Sequence, residues 1–132
     1  MAKMSVAGLE MAEGQLEKMG RAGIRRIVEA GSQAAAMAMR NAIRTAGHVR
    51  NGDLLSSVAP GKLYEELNAA TQFVRPQGMT PKGDISEEDI AWILDNDPVR
   101  GDKFLRHAWD DIQKAGEDAM AAEADRILAE IE

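Results

Sequence analysis

The first part of the chain has the composition and periodicity of a long α-helix. From about Ser5 to Ala46 it contains no proline and is rich in Ala, Met, Leu, Glu, Arg and Gln, residues that favour helix. Its apolar and small residues recur in steps of three and four, which predicts a core-facing helix side. This side comprises Leu9, Ala12, Leu16, Met19, Gly23, Ile27, Ala30, Ala34 and Ala38. A glycine inside a helix costs about 1 kcal/mol relative to alanine, so we predict a break near Gly20.

A β-region is predicted to follow. Gly47 is placed as the C-cap of the helix, and Asn51-Gly52 is typical of a tight turn. The segment "KLYEELNAA" alternates as in a half-buried strand, although it is also compatible with helix, and "ATQFVRP" is typical of a strand. We predict a small antiparallel sheet or ribbon over about 54–76, with Pro60-Gly61 as a turn.

Two further helices are predicted in the last third of the chain. Ser86 and Asp89 have the spacing of a capping box, which indicates a short helix over about 87–94. A long helix is expected over about 103–131. Its predicted apolar face comprises Phe104, Ala108, Ile112, Ala115, Ala119 and Ala122, flanked by Leu105, Trp109, Ile127 and Ile131. Together these elements predict a single α+β domain spanning residues 1–132.

Composition excludes several kinds of site and divides the charge unevenly. The chain has no cysteine, which excludes disulfides, thiolate metal sites and cysteine nucleophiles. It has no apolar run of about 18 residues and no signal-peptide pattern, so we expect a soluble protein made in a cytoplasm. Residues 1–50 carry eight Lys or Arg against four Glu, whereas residues 51–132 carry eight Lys or Arg against eighteen Asp or Glu. This asymmetry predicts two electrically different faces.

Catalytic and metal sites receive little support from the sequence. The stretch "RTAGHVRNGDLLSSV" holds His48, Asp53, Ser56 and Ser57, but it lacks the Gly-x-Ser-x-Gly pattern of a nucleophile elbow. "DNDPVRGD" at 95–102 departs from the EF-hand calcium loop, and the histidines lack metal-ligand spacing. We therefore expect no enzyme, metal or cofactor, and a hydrolase built on residues 48–57 is the weakest alternative.

The second hypothesis is a small helical nucleic-acid-associated or regulatory protein, because arginines are frequent in the first helices. They could form a basic strip for phosphate contacts, although the chain is acidic overall and aromatic residues do not alternate with the arginines. The strip would comprise Arg21, Arg25, Arg26, Arg40, Arg44 and Arg50.

Three short motifs, in order along the chain, carry a resemblance to a known family. Arg44, Thr45 and Gly47, followed by "LLSSV", resemble a helix-ending Arg-Thr-Gly-x-Leu-x-x-Ser signature with one alanine inserted. "AWILD" at 91–95 is similar to an Ala-x-x-hydrophobic-Glu segment with Asp for Glu, and "FLRHAW" at 104–109 matches a Phe-Leu-x-x-Ala motif. Over about residues 15–132 the chain resembles the HK-ninety-seven-type tail-component family, the tail-completion or head–tail joining proteins of long-tailed bacteriophages. "DNDP" replaces the Gly-Thr turn of that family, and the acidic "GDISEEDI" before it is unusual.

The resemblance implies a virion structural protein rather than an enzyme. Its expected form is a homo-oligomeric ring, a hexamer, at the neck between phage head and tail, assembled in the host bacterial cytoplasm. One ring face would bind the connector or neck, the other the tail terminator or tail tube, and passing DNA could touch the lumen non-specifically. The residues predicted at interfaces are Arg21, Arg25, Arg44, Arg50, Asp95, Asp97, Arg100, Asp102, Phe104 and Trp109.

Overall fold

The structure is a computed structural model of the chain, and it describes residues 2–5, 13–47, 53–66, 69–79, 86–96 and 103–131. The predicted α+β class is confirmed. The elements in order are β1 (Ala2–Ser5), α1 (Glu13–Thr45), α2 (Asp53–Ser57), β2 (Val58–Glu66), β3 (Ala69–Pro76), α3 (Glu87–Asn96) and α4 (Phe104–Ile131).

Helix α1 has the predicted break and the predicted end. Gly20 has φ 67° and ψ −175°, a left-handed conformation that glycine adopts without the steric cost of a Cβ atom. After Thr45 the helix closes at Gly47, whose φ is 83°. There the Gly47 N–H donates to the Arg44 carbonyl at 3.0 Å, and the Ala46 N–H donates to the Ala42 carbonyl at 3.0 Å. Glycine therefore supplies both interruptions of the long helical pattern.

The sheet is antiparallel with strand order β1-β3-β2. The predicted β-region was wrong at its start, because residues 54–57 belong to the short helix α2. In this helix the Ser57 hydroxyl donates to the Leu54 carbonyl at 2.7 Å. Pro60-Gly61 was also wrong as a turn. Both residues lie inside edge strand β2, where the register shifts between Pro60 and Leu63, and an edge strand or a bulge is where a sheet tolerates proline.

The sequence pattern predicts helix from about Ser5 and does not predict strand β1. Ala2–Ser5 instead pair with residues 71–74 of β3, from Ala2 opposite Val74 to Ser5 opposite Thr71. Four residues give too short a pattern to distinguish strand from helix. The pairing partner lies about seventy positions away along the chain, so the long-range contact decides the structure.

Helices α1 and α4 form the central helix pair of the core. The buried residues of α4 are Phe104, Leu105, Ile112, Gly116, Met120, Glu123, Ala124 and Ile127. The predicted apolar face was wrong at Ala122, which is exposed, and at Ile131, which is 44% exposed. The helices approach so closely at Gly31 that an added Cβ atom would lie 2.4 Å from Met120 Cγ and 3.2 Å from the Gly116 carbonyl oxygen. At this crossing α4 therefore contacts α1 through Gly116 and Met120, whereas Ala115 and Ala119 are half-buried and Ala122 is exposed.

Helix α1 is the middle layer of the molecule. It contacts all three strands as well as α4, whereas the principal contact of α4 with the sheet is with edge strand β1. Two adjacent arginines show this arrangement: Arg25 Nη2 lies 2.6 Å from Glu65 Oε1 of β2, and Arg26 Nη2 lies 2.8 Å from Glu123 Oε1 of α4. The sheet and α4 therefore form opposite outer layers.

Candidate interaction surface

The outer face of the sheet exposes two of the five aromatic residues of the chain. Tyr64 is 52% exposed and Phe73 is 40% exposed. Their rings meet edge to face, with centroids 6.3 Å apart and planes at 78°, and Lys62 Nζ lies 5.5 Å from the Tyr64 ring centroid. Exposed aromatic side chains grouped on one face are typical of a binding surface. We call Lys62, Tyr64, Phe73 and Arg75 the open face.

Strand alternation explains why these side chains point away from the core. In β3, Ala70, Gln72, Val74 and Pro76 are buried, while Phe73 and Arg75 between them are exposed. Successive side chains of a strand lie on opposite faces. In β2, Tyr64 pairs with Thr71 while Leu63 pairs with the buried Gln72, so Tyr64 lies on the outer side with Phe73.

The open face carries charges of both signs around its aromatic pair. Its cations are Lys62 and Arg75, both exposed. Negative charge comes from Glu66 at the end of β2 and from Glu88, whose Oε2 lies 3.7 Å from Arg75 Nε. That ion pair joins two exposed side chains, so it is weak.

The opposite outer layer carries an acidic row along α4. Asp111, Asp118 and Asp125 are all exposed and recur every seven residues, which places them along one helix side. Asp110 and Glu117, also exposed, lie beside this row, while Lys114 is a cation within it at 3.8 Å from Asp118. Between Asp118 and Asp125 lies exposed Ala121, a small apolar spot. We call Asp111, Asp118, Ala121 and Asp125 the acidic face.

The arginines of α1 are mostly bound to groups of the same chain. Besides the Arg25 pair with Glu65, Arg40 donates from Nε and Nη2 to the Val58 carbonyl at 3.0 and 2.5 Å, and Arg44 donates to Asn41 Oδ1 at 3.0 Å. Arg21 is exposed, and Arg50 lies outside the described residues. These contacts leave the proposed basic strip with less charge free for phosphate groups.

Arg26 forms the main ionic link between α1 and α4. Its guanidinium contacts both Glu123, at 2.8 Å, and Glu130, at 2.9 Å. Hydrogen bonds with Glu130 and Glu123 raise the pKa of Arg26 above its ordinary value, and the same contact with Arg26 lowers the pKa of Glu130. Arg126 also contacts Glu123, at 2.6 Å, so α4 presents a small ion-pair network to α1.

Asp95 has a structural position at the junction of α3 and α4. It is 6% exposed, and its Oδ1 accepts hydrogen bonds from the backbone N–H of Leu105, at 2.9 Å, and of Arg106, at 3.4 Å. The Lys103 N–H donates to the Asp95 backbone carbonyl at 3.0 Å. A carboxylate on free N–H groups at a helix start is a favourable cap, so Asp95 fixes α4 onto the end of α3.

The other predicted interface residues divide into core and undescribed positions. Phe104 is 6% exposed and belongs to the core, against which half-buried Trp109 packs. Asp97, Arg100 and Asp102 lie outside the described residues.

Two open grooves lie beside α1. One, of about 530 Å³, runs between α1 and α4, and its lining combines alanines with polar residues that include His107 and Asp111. The other, of about 520 Å³, lies between α1 and β2 and is also lined by Gln72 of β3. The Gln72 Nε2 atom donates to the Gly61 carbonyl at 2.8 Å, while Gln72 Oε1 has no hydrogen-bond partner among the described residues.

The described residues contain no group of three or more His, Asp or Glu side chains able to hold a metal ion. His48 lies outside them, as does the Asp53 side chain, so the serine–histidine–aspartate set cannot be assembled from the structure. None of the helices in the described part of the chain combines the length and apolar character needed to cross a membrane.

Comparison with protein-family models, with curated proteins and with solved structures finds no match to this chain. The open face must therefore be interpreted from its own geometry. Sequence reasoning missed Phe73 and Tyr64 as surface residues, although a signal was present for Tyr64. The alternation in "KLYEELNAA" places Tyr64 on the same side as Glu66 and Asn68, which is the polar side of the strand.

Proposed function

We propose that the chain is a structural subunit of the head–tail junction of a long-tailed bacteriophage, where it assembles as a ring. The observation that carries this proposal is the pair of unlike outer layers: an open face with two exposed aromatic rings beside Lys62 and Arg75, and an acidic face on α4. A subunit with two different surfaces on opposite sides is suited to repeated head-to-tail contacts.

The phage context comes from the resemblance, and the positions of its motifs support it. Arg44, Thr45 and Gly47 lie where α1 ends, residues 91–95 lie in α3, and Phe104 and Leu105 open α4. The first motif thus falls at a helix end and the third at the start of the last helix, which are the positions that the resemblance implies for them. In this proposal one ring face binds the connector or neck, and the other binds the tail terminator or tail tube.

Electron microscopy of particles assembled without this chain tests the proposal. Filled heads and complete tails should accumulate unjoined, and supplying the chain from a plasmid should restore joined particles. Normally joined, infectious particles made in the absence of the chain would contradict the proposal. This readout does not depend on which surfaces of the subunit meet.

A further inference from the structure

We infer that the open face of one copy docks onto the acidic face of the next copy, so that one contact, repeated, closes the ring. The inference rests on the proposed function for its setting and adds the two surfaces that meet. The occupant of the open face is therefore a second copy of this chain.

The layer order supports a head-to-tail contact. Since α1 lies between the sheet and α4, the open face and the acidic face lie on opposite sides of the molecule. A copy bound at one of these faces leaves its own complementary face free for another copy. Contacts between unlike surfaces of this kind generate rings when the rotation closes, whereas self-complementary surfaces stop at a dimer.

The chemistry of the two faces is complementary. Lys62 and Arg75 of the open face oppose the charge of Asp118 and Asp125, and Lys and Arg pair with carboxylates. Ala121 lies between those two aspartates and provides a small apolar area, against which the Tyr64 and Phe73 rings of the next copy pack. Aromatic side chains surrounded by charged groups are common at the centre of protein interfaces.

The size of the open face indicates that a single contact is weak. The two strands that carry the open face have eight and nine residues. At about 3.3 Å per residue and about 4.8 Å per strand they give a patch of roughly 28 by 10 Å. This is about a third of the roughly 800 Å² per partner that stable pairs bury. A closed ring gives every copy two such contacts, so we expect assembly to depend steeply on concentration.

Cysteine cross-linking tests the contact directly, because the chain has no cysteine of its own. Tyr64→Cys and Ala121→Cys variants, mixed in equal amounts and oxidised, should form disulfide-linked dimers, whereas each variant alone should not. The matched control replaces Tyr64→Cys by Met37→Cys, an exposed position on α1 (61% exposed), and should give no dimer with Ala121→Cys. Links between identical positions, equal yield with the control, or no link at all would overturn the inference.

Charge reversal supplies a second measurement that does not need a disulfide. Lys62→Glu and Asp118→Lys should each raise the concentration for half-assembly about tenfold or more, measured by light scattering, and the double variant should recover part of the loss. Rings that assemble equally well with either reversal would overturn the inference while leaving the proposed function intact. A chain that stays monomeric, or a monomer that binds single-stranded oligonucleotide through Tyr64 and Phe73, would also overturn it.

Discussion

The side of α1 that faces α4 and the outer face of the sheet differ in how completely they are covered. Ile27 of α1 and Ile112 of α4 are fully buried in the core, and Gly31 allows the two helices to approach closely. On the sheet, Tyr64 and Phe73 are bulky and apolar yet remain about half exposed. We call the buried contact between α1 and α4 the seam. The seam stabilises the chain, whereas the open face contributes little to folding and is available to a partner.

The largest expected difference between the two regions is the cost of truncating a side chain. Ile112→Ala should lower the free energy of unfolding by about 3 kcal/mol, because it leaves a cavity in a fully buried seam. Tyr64→Ala, the matched change on the open face, should cost about 1 kcal/mol or less. Urea unfolding of both variants measures this difference. Equal losses of unfolding free energy would contradict the distinction between the buried seam and the open face.

The junction of α3 with the start of α4 should be the next most sensitive point of the core. Asp95→Ala removes the acceptor for the Leu105 and Arg106 N–H groups and should cost about 1–2 kcal/mol. Asp95→Asn keeps an acceptor oxygen and should cost less. The order of the two thermal midpoints checks the capping role; identical midpoints for both variants and the unaltered chain would argue against it.

Glycine replacement should distinguish the seam from the sheet edge. Gly31→Ala places a Cβ atom against Met120 and the Gly116 carbonyl, and overpacking of this kind costs about 1–3 kcal/mol. A gain in helix propensity of about 1 kcal/mol offsets part of this cost, so we expect a net loss of about 1 kcal/mol.

Gly61→Ala is the matched control for this change. Its added Cβ atom would lie no closer than 3.4 Å to the Phe73 carbonyl oxygen, and stability should change by about 0.5 kcal/mol or less. Denaturant midpoints of the two variants measure the difference in stability. A larger loss of stability for Gly61→Ala than for Gly31→Ala would contradict the expectation.

The smallest expected effect is a pH dependence at the edge of the seam. The contact with Arg26 lowers the pKa of Glu130 below its ordinary value of about 4.5. The contribution of the Arg26–Glu130 pair to stability is therefore fully present at pH values above the ordinary pKa of Glu130. This contribution is lost as the pH falls through the lowered pKa. Glu130→Gln should flatten the stability profile below pH 4.5, and an unchanged profile in a pH series of unfolding curves would exclude this role for the pair.

Local patterns predicted the long elements and their interruptions. The apolar period of α1, the break at Gly20 and the cap at Gly47 all follow from nearby residues, as does the start of α3 at Glu87. These features depend on helix propensity and on glycine conformations, which the local sequence specifies.

Features that depend on distant contacts could not be predicted in the same way. Strand β1 forms because β3 is available to pair with it, and Asp95 caps α4 across ten positions of the chain. The contact side of α4 follows Gly116 and Met120 because Gly31 lies opposite them. Among the candidate site residues, Asp95 has a charge and Phe104 a ring that are common at interfaces, but the burial of both depends on tertiary packing.

The central claim, that the open face serves assembly rather than folding, is tested most directly by a Tyr64→Ser/Phe73→Ser variant. Light scattering and thermal unfolding should be measured on the same sample, at a concentration where the unaltered chain assembles. The account predicts a folded protein with a nearly unchanged midpoint and a mass reduced to the 14.3 kDa monomer. A variant that unfolds, or one that assembles like the unaltered chain, would contradict it.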